Sequence, residues 1–130
     1  MKFLRFLKDG EERYGIFKDE KVFAIKGKLF EYEYYETGEI YNLDEIKFLP
    51  PIEVPNIIAL GLNYKEHAKE GGHDKISEPV IFLKATTSIT GHLSPIILPK
   101  EAPDEVDYEC ELVIVIGKKC KNIREDEAKN

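Results

Sequence analysis

The stretch Ile57-Ile58-Ala59-Leu60-Gly61-Leu62-Asn63-Tyr64-Lys65-Glu66-His67-Ala68-Lys69-Glu70-Gly71-Gly72 decides the reading of this chain. The four apolar residues at its start predict a buried strand, and Gly61 permits a tight exit. Asn63 with Glu66 three positions later has the form of an N-terminal capping box. A helix over 64–70 is predicted, ending at Gly71-Gly72, where a left-handed residue costs little. Within it His67 and Glu70 are three apart and share a face. That spacing lets a carboxylate orient an imidazole, or lets the two hold one water, which is the arrangement of a general base. The same spacing fits an exposed helix whose His and Glu share a face by chance. Position favours the functional reading, because the helix opens where a strand and a glycine end.

Before this stretch, Leu49-Pro50-Pro51-Ile52 reads as a linker, since two adjacent prolines fit neither ladder nor helix. A module boundary is placed near residue 50, giving a unit over 1–50 and another over 51–130. The first unit reads as short strands. Lys8-Asp9-Gly10-Glu11 and Lys18-Asp19-Glu20-Lys21 punctuate them as hairpin turns. The charged aromatic run from Glu31 to Glu36 alternates like an exposed strand, with a helix as the alternative, and Gly38 is expected to end it.

Beyond the helix, Pro79 to Lys84 reads as a strand, and Ser94 to Pro99 as another at an edge. Asp107 to Ile116 has the strongest strand pattern of all. Glu109 and Glu111 would point to one face there, about 7 Å apart at Cα. Two carboxylates entering a buried strand repel and lose solvation, which a cation would relieve. Oxygen-only donors select a hard ion such as Mg²⁺, Mn²⁺ or Ca²⁺. Acids facing water at a solvated strand end fit the same pattern equally. His73-Asp74 and His92 read as surface turn residues. Asn122 to Lys129 reads as a helix start capped by Asn122.

Composition narrows the classes. The chain has 130 residues, 42% hydrophobic and 34% charged, with a net charge of −6. Residues 1–50 carry 9 basic and 11 acidic groups, and residues 51–130 carry 10 and 14. Neither half is a basic surface for nucleic acid. No apolar run approaches the ~20 residues of a membrane-spanning helix. The N-terminus is broken by charge, lacks a small-residue cleavage site and does not read as a signal peptide. Cys110 and Cys120 fit no zinc pattern and read as buried or idle thiols in a reducing cytoplasm. Sixteen Lys with no Gln is a hyperthermophile tendency.

Three blocks together resemble the fumarylacetoacetate hydrolase superfamily. They are Ala59 to Glu70, then Pro79 to Lys84 with Thr86-Thr87-Ser88-Ile89 and Gly91, then Val106 to Lys118. The nearest branch is the bacterial and archaeal one of heptadienedioate isomerases, acylpyruvases and oxaloacetate decarboxylases. The resemblance implies a mainly β protein with a few helices: a small β-rich N-terminal domain, then the first part of a mixed β-roll catalytic domain. It implies a homodimer that acts on 2-oxo acids of 1,3-dicarbonyl or enol character with a divalent cation. Glu109 and Glu111 match metal ligands, His67 and Glu70 the catalytic pair, and Lys84 a lysine near the substrate pocket. Ala85 stands where a proline is common, and Asn63 where the fumarylacetoacetases proper carry another acidic ligand. The family's third carboxylate ligand and a further pocket lysine fall outside these residues, so the resemblance covers the first half of a typical member. The alternative expectation is a non-catalytic fragment or binding module.

Overall fold

A computed structural model of the chain describes residues 1–53, 56–72 and 78–128. It is mainly β, with few and short helices. Five strands form the first sheet: β1 (Lys2–Lys8), β2 (Glu11–Lys18), β3 (Lys21–Lys28), β4 (Glu33–Asn42) and β5 (Lys47–Leu49). Their order is β4-β3-β2-β1-β5, and every neighbouring pair is antiparallel. Both expected hairpins form. Lys8 pairs with Glu11 around Asp9-Gly10, and Lys18 with Lys21 around Asp19-Glu20. All four turn residues have positive φ, the type I′ geometry whose twist matches the strands.

Glu20 adopts φ +58° without being glycine, which costs about 1–2 kcal/mol. Glu20→Gly relieves that strain but adds freedom to the unfolded chain. A net gain of roughly 0.5–1 kcal/mol is expected, read as a raised urea midpoint at unchanged slope. A lowered midpoint would contradict the turn geometry.

One face of this sheet carries the main buried cluster, while Ile16 and Ile25 are buried on the other. Phe6 and Val22 are fully buried and Ala24 nearly so, with Leu4, Phe17, Tyr41, Leu43 and Ile46 packed around them. Gly15 lies in the same row, where a Cβ would come within 2.5 Å of Val22 Cγ1. On the opposite face Arg5 is buried and paired with Glu12, and its guanidinium also lies 3.6 Å from Glu53 beyond the prolines. The residue after the linker is thereby tied back to β1.

Gly38 does not end β4. Phe23 faces Ile40 and Ile25 faces Glu36, so three residues of β4 oppose Ala24 in a bulge, and Gly38 absorbs it at φ +89°.

The second sheet has two antiparallel strands, β6 (Ile57–Gly61) and β7 (Val80–Lys84). The buried strand expected at 57–60 is a strand, but burial alternates along it, and Ile58 is 65% exposed. A two-stranded ribbon covers at most one face of each strand. Beyond the ribbon, Gly91-His92 pack against β5 of the first sheet. His92 meets the Phe48 ring edge-on at 5.0 Å, and a Cβ on Gly91 would sit 2.4 Å from the Phe48 carbonyl oxygen. No helix among the described residues is long and apolar enough to cross a membrane.

Two predicted strands are corrected. Residues 94–99 and 107–116 join no ladder among the described residues, and 107–116 are exposed throughout. A β-branched run favours extended backbone, but a strand exists only where a neighbour accepts its hydrogen bonds. The C-terminal helix is also reduced. A single 3₁₀ turn, Glu125–Glu127, follows Arg124, while Asn122 takes φ +55° instead of capping.

Candidate functional site

Helix α1 (Lys65–Glu70) follows β6 across a sharp corner. Leu62 makes that corner at φ +56°, a conformation that a leucine adopts at a cost of about 1–2 kcal/mol. Such strain in a non-glycine residue concentrates at functional sites. The cap position is Tyr64, not Asn63, and it makes no side-chain capping bond. The phenol has no short oxygen that could fold back on its own helix. Gly71 ends the helix by donating to the His67 carbonyl at 3.1 Å, and Gly72 follows at φ +76°.

His67 and Glu70 lie one turn apart on α1, both exposed, while Ala68 between them is buried. Among the described residues no hydrogen bond joins the imidazole to Glu70. Any orientation of one by the other therefore requires a bridging water or a bound substrate.

Glu109 and Glu111 lie in the unpaired segment 107–116, both exposed to solvent. The desolvation expected of them as strand residues is absent, because no sheet covers them. One contact connects their segment to α1. The Leu112 backbone N–H donates to the Tyr64 hydroxyl oxygen at 3.1 Å. This places the residue after Glu111 against the residue that starts the helix of His67. Further along, Val115, Ile116 and Gly117 line an open groove of about 370 Å³ with Tyr14, Phe30, Ile52 and Glu53. Burial raises the Tyr14 phenol above its ordinary value there. None of the sequence-predicted site residues lines that groove.

Lys84 stands apart. It pairs with Ile57, at the far end of the β6–β7 ladder from Gly61, where the chain turns into α1. Four residues of strand separate the ends, about 13 Å. Its ammonium instead lies 5.0 Å from the Phe82 ring. His92 is exposed, as expected, and His73 and Asp74 lie outside the described residues. Cys110 and Cys120 are free thiols and exposed rather than buried, because their segment packs under no sheet.

The donor chemistry of Glu109 and Glu111 suits a hard divalent cation. Their number falls short of six oxygens, and among the described residues no three His, Cys, Asp or Glu side chains converge. Water or other oxygen donors would have to complete the coordination.

Residues 56–130 match the fumarylacetoacetate (FAA) hydrolase C-terminal family, and residues 1–51 match the Rv2993c-like N-terminal family. The chain belongs to the fumarylacetoacetate hydrolase family. Among its relatives is the 2,4-didehydro-3-deoxy-L-rhamnonate hydrolase of a Sphingomonas species, 34% identical, with 98% of this chain and 48% of that one aligned. The mitochondrial oxaloacetate tautomerase fahd2 of Xenopus laevis is 46% identical over 68% of this chain and 28% of its own. The crystal structure of Cg1458 with inhibitor superposes at a TM-score of 0.79 and 33% identity, covering 98% of this chain and 50% of that one. The chain thus spans half or less of the length of the relatives it matches. Hydrolase and tautomerase both occur among those relatives, so the fumarylacetoacetate hydrolase family holds more than one reaction type.

Proposed function

We propose that these residues form a small β-rich domain, 1–50, and the first part of a divalent-cation-dependent catalytic domain, 51–130, acting on 2-oxo acids. The observation that supports this most is the Leu112–Tyr64 hydrogen bond, which draws the Glu109–Glu111 segment to the start of the His67 helix. Glu109 and Glu111 would hold the cation. A bound Mg²⁺ or Mn²⁺ supplies Lewis-acid polarisation of the 2-oxo group and positive charge for a developing enolate. His67 takes a proton from water or from the substrate, and Glu70, one turn away on the same helix, could hold a water against the imidazole. A proton taken from water leads to C–C bond hydrolysis; one taken from the substrate carbon leads to tautomerisation. Loss of carbon dioxide through the same enolate is decarboxylation. Lys84, 13 Å or so along the ribbon, would meet the distal part of a longer substrate. The same reading makes the protein a cytoplasmic homodimer, and the exposed apolar residues 112–116 offer surface for such an interface.

The test is an assay of oxaloacetate, acylpyruvates and unsaturated 2-hydroxy acids with Mg²⁺, in the protein that carries these residues. Turnover of one class, lost on chelation and in Glu109→Gln, is the expected result. Undiminished turnover by Glu109→Gln would remove the cation assignment. A second reading, a non-catalytic binding module, draws on the absence of a third converging ligand among the described residues. Calorimetry separates the two: tight Mn²⁺ binding that Glu109→Gln weakens favours the enzyme, and no Mn²⁺ binding favours the module.

A further inference from the structure

We propose that Tyr64 is a positioning residue that sets the spacing between the carboxylates Glu109 and Glu111 and the imidazole of His67; this rests on the reading of those carboxylates as cation ligands. Its hydroxyl oxygen accepts the Leu112 N–H at 3.1 Å, across 48 residues of sequence. Among the described residues this is the one side-chain hydrogen bond between residues 101–128 and the rest of the chain. It satisfies an amide that no ladder partner reaches. The two ends of the bond lead to the site by short, stiff paths. Glu111 precedes Leu112 by a single trans peptide, about 3.8 Å at Cα. His67 follows Tyr64 by nearly one helical turn, about 5 Å. A carboxylate segment without sheet neighbours would otherwise sample many placements relative to the base, and a metal-assisted proton transfer tolerates little of that freedom.

The experiment compares the unsubstituted chain with Tyr64→Phe, which keeps the ring and deletes only the acceptor oxygen. Amide exchange by NMR is expected to speed at Leu112 by ~5-fold, the loss of one ordinary hydrogen bond, and to stay unchanged in β1–β3. Mn²⁺ added to the unsubstituted chain should broaden signals of Glu109, Glu111 and His67 together. In Tyr64→Phe it should still broaden Glu109 and Glu111 while sparing His67. A purely structural role would not separate those signals. Unchanged Leu112 exchange, or His67 broadening equal in both proteins, overturns the proposal. If Mn²⁺ leaves Glu109 and Glu111 untouched in the unsubstituted chain, the cation reading fails instead, and Tyr64 is then judged on the Leu112 exchange alone.

Discussion

His67→Ala is expected to lower kcat by about 10²–10⁴ in the protein that carries these residues, with a much smaller change in KM. The direction follows from the role proposed for the imidazole. A group that moves a proton in the transition state and does not hold the substrate affects the chemical step and spares binding. Loss of fold would not explain the result. His67 is exposed on α1, and alanine is the better helix former, so the substitution should hold or slightly raise stability. Glu70→Gln should cost less than His67→Ala, because no hydrogen bond among the described residues ties that carboxylate to the ring. Steady-state kinetics on whichever 2-oxo acid is turned over, beside thermal melts of both variants, makes the comparison. Unaltered kcat in His67→Ala would reject the imidazole as base, whatever the fate of the cation assignment.

The two hairpins of the first sheet were legible in the sequence because their information is local. Asp9-Gly10 and Asp19-Glu20 occupy positions that demand positive φ, and the apolar runs on either side fix register once the turn closes. The placement of β5 beside β1 was not legible, since nothing in Lys47-Phe48-Leu49 states which edge it will join. Residues 107–116 show the opposite failure. Their side chains prefer extended backbone, yet a strand is a relation between two segments, and the described residues provide no second one. At the site, the His67–Glu70 spacing is a property of one helix turn and could be read directly. The role of Tyr64 is not legible within its own motif, because its partner amide lies 48 residues away. Its one usable signal is chemical: an aromatic ring with a polar tip at the start of a helix, free to bond a group outside it.

Phe6→Ala should destabilise the first sheet by about 3–5 kcal/mol, the usual cost of emptying a buried aromatic site. Phe6 is fully buried, and its ring meets Tyr41 edge-on with centroids 5.7 Å apart. It also roofs Gly15, where an added Cβ would stand 3.1 Å from Phe6 Cε1. The cavity left by alanine therefore has a glycine for its floor, which offers no side chain of its own to fill it. Position in the sheet magnifies the loss. Phe6 sits on β1, opposite Arg13 of β2 on one side and Phe48 of β5 on the other. Loosening β1 therefore frees β5, and β5 carries the Phe48 contact to His92 in the segment after the second sheet. Since small domains hold only about 5–15 kcal/mol in reserve, urea unfolding should shift to a far lower midpoint. The Phe48–His92 proximity, followed by nuclear Overhauser effects, should fade in the same variant before global unfolding. Tyr35→Ala, at a residue 62% exposed in the same sheet, serves as the control and should cost within about 0.5 kcal/mol. A Phe6→Ala cost no larger than that of Tyr35→Ala would mean that the core lies elsewhere. Loss of stability with the Phe48–His92 contact intact would mean that β5 is held by something other than β1.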